Sequence, residues 1–147
     1  MLKETVEKVR LLKPKGFLAH VFVMGDDVRV GYYVDGKVAT YIVTDKVEAL
    51  PLDEILDKKQ EVLELDLSKV KLEPEEALKK GKEAASEHYP LEMSSRWIVI
   101  LANSGKPTYT VTGVTMSLKS IVITIDAASG KVLSHSCEIL AAFDPHS

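Results

Sequence analysis

The sequence predicts an α+β fold, an antiparallel β-sheet with helices packed on one face, and three observations carry that prediction. Alternating apolar rows run from Phe17 to Thr44 and again from Arg96 to Leu140, which is the period of half-buried strands. An Asp35-Gly36 pair interrupts the first set, and such a pair supplies the positive φ angles of a two-residue hairpin turn. Between the two sets, Glu73 to His88 repeats apolar residues at helical spacing. With 147 residues, 46% hydrophobic and 28% charged, the chain can bury a core as one domain or two very small ones.

Leu2, Val6 and Val9 recur at helical spacing in a helix expected to reach Lys13, and Pro14 with Gly16 ends it. Phe17 to Met24 is a mostly apolar strand closed by Gly25-Asp26-Asp27. With Asp35 and Gly36 in the turn, counting back sets Val34 opposite Lys37 and Tyr32 opposite Ala39. Val30 then opposes Tyr41 and Val28 opposes Val43, so the apolar residues share one face and pattern agrees with turn chemistry.

The stretch Asp45 to Glu73 is acidic. Pro51, Asp53 and Glu54 suit the start of a short helix, and Lys58 with Lys59 suits its end. Val62 to Val70 alternates Leu63, Leu65 and Leu67 with Glu64, Asp66 and Ser68. That pattern predicts an edge strand whose outward charges discourage pairing with another chain. In the following helix Pro74 takes the first position, Glu75 and Glu76 follow, and lysines come later. Its face of Ala77, Leu78, Gly81, Ala84, Ala85 and His88 is small. Gly81 costs about 1 kcal/mol of helix propensity relative to Ala, so the close approach of another backbone is expected there.

Four strands complete the reading. Arg96 to Ala102 is apolar nearly throughout and reads as central, and Asn103-Ser104-Gly105 turns the chain. Pro107 to Val114 sets Tyr109, Val111 and Gly113 against Thr108, Thr110 and Thr112, and Leu118 to Asp126 puts Ile121, Ile123 and Ile125 on one face. Lys131 to Leu140 follows the Ala127 to Gly130 turn, and Asp144 to Ser147 is a frayed end. Residues 1–70 (helix, strands, acidic connector) and 71–147 (helix, four strands) have no Gly/Ser-rich linker between them, so one packed unit is expected. Val30 to Val38 echoes Ile121 to Asp126 with Gly130-Lys131-Val132. The echo raises the alternative of two related halves, against the ordinary recurrence of Asp, Gly and β-branched residues in hairpins.

The stretch Leu72 to Ile139 resembles the PepSY domain family. The features that carry it are Pro74-Glu75-Glu76-Ala77, Ala84-Ala85, Tyr89-Pro90 and the Trp97 to Leu101 strand. Pro107 to Val111 and the hairpin Ile123 to Asp126 with Gly130-Lys131-Val132-Leu133 complete the set. The resemblance covers about half the chain. It implies a PepSY/cystatin-like helix-on-sheet arrangement and a non-catalytic module of the kind found in metalloprotease propeptides, where it is associated with inhibition.

Composition narrows the function classes. A net charge of -3 and a pI near 5.8 give no basic footprint, so nucleic acid is not an expected partner. No apolar run approaches the ~20 residues of a membrane span, and the charged N-terminus lacks a signal-peptide core. A cytoplasmic placement is expected, the alternative being an extracytoplasmic mature domain whose signal has been removed. Cys137, the one cysteine, fits a reducing compartment.

No catalytic constellation is read from the sequence, and no cofactor or metal is expected. His135 and Cys137 share a face two residues apart and are expected to be enclosed in the core, since zinc needs more ligands and no CxxC or HExxH spacing is present. His20 is expected as a hydrogen-bonded edge residue, His88 at a helix end and His146 in the tail. The acids Asp45, Glu48, Asp53, Glu54, Asp57, Glu61, Glu64 and Asp66 read as a solvated face without calcium-loop spacing. Trp97 reads first as a core residue and Thr108, Thr110 and Thr112 as an outward strand face; the alternative, in which Trp97 anchors a partner and the threonines border an added strand, makes these the residues where a partner is expected.

The expected function is a non-enzymatic binding or regulatory module for a protein or peptide. One alternative is a small-molecule binder or enzyme with a polar cavity that includes His135 and Cys137. Another is a homodimer formed through the strand near Val62 to Val70.

Overall fold

Two strands far apart in sequence, Phe17–Met24 (β1) and Ser94–Asn103 (β6), pair antiparallel and make the seam of the molecule. The computed structural model describes residues 2–51, 53–54 and 62–139. Outward from the seam on one side run β2 (Asp27–Val34), β3 (Lys37–Val43) and β4 (Val47–Ala49), with the short β5 (Asp53–Glu54) also on β3. On the other side run β7 (Pro107–Thr115), β8 (Lys119–Asp126) and β9 (Val132–Ile139). Helix α1 (Leu2–Arg10) precedes β1 and α2 (Pro74–His88) precedes β6.

The Asp35-Gly36 turn behaves as its chemistry dictates. Both residues have positive φ, 49° and 77°, and the β2–β3 register sets Val34 on Lys37, Tyr32 on Ala39, Val30 on Tyr41 and Val28 on Val43. Helix α2 begins at Pro74 behind a capping box formed by Glu73 and Glu76, which satisfies two orphan donors at once. Where another backbone was expected, Gly81 lies against the side chain of Val111 of β7, and an added Cβ would come within 2.6 Å of Cγ1. Tyr109, fully buried, donates its hydroxyl to the Leu72 carbonyl at 2.7 Å; burial raises its pKa well above the ordinary value. The Leu2 backbone N–H donates to the Glu73 carboxylate at 3.0 Å, so the start of one helix is tied to the cap of the other.

The expected α+β class is corrected. A single antiparallel sheet of nine strands dominates the described residues, and the two helices span only 9 and 15 residues. They do not make a helical layer, because irregular chain takes much of the burial. Leu65, Leu67, Val70 and Leu72 of the connector are buried in the same core as Leu2, Val6 and Val9.

Three further expectations change. The edge strand over Val62 to Val70 does not form: Leu65 donates its N–H to Leu18, and a short 3-10 turn runs Leu67–Lys69. Asp66 accepts from both the backbone N–H and the hydroxyl of Ser68, and such local bonds compete with a strand ladder. The helix expected from Pro51 gives way at Asp53–Glu54 to extended chain paired with Lys37 and Val38, while Asp57, Lys58, Lys59 and Glu61 lie outside the described residues. The first helix stops at Arg10, and Leu11 and Leu12 are exposed. His146 and the frayed end also lie outside the described residues. As for the echo between halves, Val30 to Val38 belongs to the β2–β3 hairpin and Ile121 to Val132 to β8–β9, which differ in distance from the seam.

Candidate functional site

Strand alternation gives the sheet two faces. One carries the core: Val21, Val30, Tyr32, Val99, Leu101, Tyr109, Val111, Ile121 and Ile123 point to the helices and connector. On the other face the register aligns Ile42, Arg29, Phe22, Ile100, Thr110, Thr124 and Ser134 in one line from β3 to β9. A second line runs Ile98, Thr112, Val122 and Ser136. None of these residues belongs to the core or packs against it. They are half-buried by one another, with Ser134 exposed.

This open face has two chemistries. At the seam it is apolar, with Phe22, Ile98 and Ile100, while Arg29 separates Ile42 of β3 from them; Phe17 and Tyr33 lean on one another at a tilt, ring centroids 5.3 Å apart. Toward β9 it becomes a field of hydroxyls. Thr124 and Ser134 hydrogen-bond across strands. Arg29 is held by a bidentate pair with Asp27, both bonds 3.1 Å.

His20 stands on this face of β1, a central strand, where a hydrogen-bonded edge residue was expected. Its ring lies over Gly31: a Cβ there would come within 2.2 Å of Cε1. Burial pushes its pKa below the ordinary 6.5.

The structure separates the residues expected to meet a partner. Thr110 and Thr112 are on the open face, half-buried. Thr108 shares that face but is 7% exposed, donating to the Lys106 carbonyl and accepting from Ser104 in the β6–β7 turn. Trp97 lies on the opposite face, its ring over Gly113 and against the core. Sequence reading missed Phe22, Ile98 and Ile100 as surface residues, because a continuous apolar run does not say which alternate residues face the helices.

His135 and Cys137 also part company. Cys137 packs against the core, whereas His135 is exposed, 2.9 Å from the Tyr89 hydroxyl through Nδ1 and stacked on His88 at 3.8 Å. An enclosed pair is therefore not what forms. A hollow of about 510 Å³ lies elsewhere, between Lys13, Lys15, Lys37, Val34, Ala39 and Tyr41, and neither residue lines it. Among the described residues no three His, Cys, Asp or Glu side chains are grouped to hold a metal ion, and no helix is long and apolar enough to cross a membrane.

No family model matches the chain, and no curated protein does. Among solved structures, a putative lipoprotein from Clostridium difficile 630 shares the fold, with a TM-score of 0.66 and 14% identity over 93% of this chain and 92% of that one.

Proposed function

We propose that the chain is a non-enzymatic binding module that holds a protein or peptide on its open sheet face. One observation carries the reading: a line from Phe22 to Ser134 lies outside the core and joins apolar and hydroxyl side chains across five strands, β1, β6, β7, β8 and β9. Contiguous apolar surface of this kind marks interaction sites, and surrounding hydroxyls supply hydrogen bonds at low cost in desolvated charge. The groups with reactive potential stand apart, His20 on the open face and His135 with Cys137 on the other, which favours binding over catalysis. The resemblance of Leu72 to Ile139 to PepSY modules points the same way. The fold shared with a putative lipoprotein supports an extracytoplasmic placement over the cytoplasmic one.

The test is affinity selection from a displayed library of random linear peptides, followed by rebinding to Ile100→Lys and Thr110→Lys. The expected outcome is binding lost in both variants with melting temperatures unchanged. Selected ligands indifferent to both charges would overturn the reading.

A further inference from the structure

Two neighbouring loops at one end of the sheet carry large apolar side chains that the core does not use. Residues 89–93 lead from α2 into β6, and residues 115–119 turn the chain from β7 to β8. The loops are tied together: the Met116 N–H donates to the Met93 carbonyl at 3.0 Å, and Glu92 accepts from the Ser117 hydroxyl at 2.8 Å and from Lys119 Nζ at 2.7 Å. From this base Leu91, Met93, Met116 and Leu118 stand 94%, 74%, 77% and 66% exposed. Turn residues are ordinarily Gly, Pro, Asn, Asp or Ser, so four leucines and methionines so placed need a reason. Leu118 also has φ 60°, a left-handed conformation that is costly for a leucine and not for a glycine. Its exposure offsets little of that cost, and strain of this kind collects at functional sites.

We propose that this end of the molecule inserts into the surface of a phospholipid bilayer, with Leu91, Met93, Met116 and Leu118 as the inserted side chains. Three observations select a bilayer over a protein partner. The side chains project singly from loop tips, whereas the apolar anchors of a protein interface sit in packed pockets. Four of them also fall far short of the roughly 20–30 residues and ~800 Å² that each partner gives to a standard interface. Second, Glu92 and Lys119 are the charges of the two loops, and they neutralise each other at 2.7 Å, so neither has to leave water unpaired. Third, the tips satisfy their own backbone, as a segment entering lipid must. The Glu92 N–H donates to the Tyr89 carbonyl and the Leu118 N–H to the Thr115 carbonyl, both at 3.1 Å, and the Lys119 N–H donates to the Thr115 hydroxyl at 2.9 Å. Insertion of this size is shallow and reversible, because its strength scales with the apolar area buried.

Flotation of the full chain with phosphatidylcholine vesicles over a range of lipid concentrations tests this. Half of the protein is expected on the vesicles at about 0.1–1 mM lipid, the range of a single acyl chain, and added salt should change that little because no free charge is involved. Leu91→Ser combined with Met116→Ser should weaken binding about tenfold or more. Leu118→Gly, which relieves the backbone, should weaken it several-fold while the melting temperature does not fall. Thr110→Lys, on the open face, should leave vesicle binding unchanged, so this surface and the peptide-binding one fail separately. A chain that stays off the vesicles at several millimolar lipid would overturn the proposal. So would binding that survives in the Leu91→Ser, Met116→Ser protein, or sedimentation showing that these side chains join two copies instead.

Discussion

The halves on either side of the β1–β6 seam solve one packing problem in opposite ways. Each places a helix before its strands and runs those strands outward. In the N-terminal half the 9-residue α1 contributes volume, with Val6 and Val9 wholly buried and connector leucines beside them. In the C-terminal half the 15-residue α2 contributes almost none: Ala77, Gly81, Ala84 and Ala85 are its buried residues after Pro74, and β7 and β8 fill the space with Val111, Ile121 and Ile123. A helix too short to be stable alone anchors itself by bulk, while a longer, well-capped one can come close. The same fold therefore has one half sensitive to lost volume and one sensitive to added volume.

The largest expected effect tests that contrast directly. Gly81→Val should destabilise the chain by about 3 kcal/mol, because the first added carbon already falls 2.6 Å from Val111 and overpacking outweighs the gained helix propensity. Val111→Ala in the same chain should recover much of the loss. Val6→Ala, the opposite change in the other half, should cost about 2 kcal/mol through two lost methyl groups and a cavity. Denaturant melts of the four proteins decide it, and a neutral Gly81→Val would end the small-face argument.

The halves should also fail in different pH windows. His20, in the N-terminal half, has a pKa lowered by burial from 6.5. The unfolded chain takes up the proton first, so stability is full above 6.5 and falls as pH drops below it. His20→Gln should flatten that slope, and Gly31→Ala should weaken the fold by about 1 kcal/mol by displacing the ring. Asp126, in the C-terminal half, is held down to about 2 by Lys106 at 3.0 Å and by the Ala128 and Ser129 N–H groups. Its contribution is present above the unfolded value of 3.8 and lost as pH falls toward 2. Melting temperatures from pH 7 to pH 2 should show His20→Gln acting in the upper window and Asp126→Asn in the lower. One shared window would contradict the assignment.

What the sequence made legible follows where local chemistry dictates geometry. The β2–β3 register came from Asp35-Gly36 alone, and the start of α2 from Pro74 with its glutamates, since turns and caps need few residues and little context. The connector was opaque for the opposite reason. Leu63, Leu65 and Leu67 alternate as a strand would, yet Leu65 and Leu67 are buried and Leu63 is exposed, because their places are set by the core they drop into and by Asp66 turning the chain on Ser68. The overestimate of helical covering has the same origin. The candidate site was half visible: the alternation of β7 isolates Thr110 and Thr112. Placing Trp97 on the other face requires the β6–β7 register, and the turn between them lacks a two-residue signature.

The smallest effect concerns the turns that the two halves place at the same distance from the seam. Between β2 and β3 the chain reaches positive φ with Asp35 and Gly36, residues suited to it. Between β7 and β8 it does so with Leu118, at φ 60° and 66% exposed. A leucine there carries left-handed strain of about 1–2 kcal/mol, and its exposure returns little by burial. Leu118→Gly removes the strain but loosens the unfolded chain, which offsets about 0.4–1 kcal/mol. The net expectation is a gain of roughly 0.5 kcal/mol, read as a small rise in the denaturation midpoint at unchanged slope. Gly36→Leu in the matching turn should move stability the other way, and equal responses at the two positions would show that backbone conformation does not distinguish them.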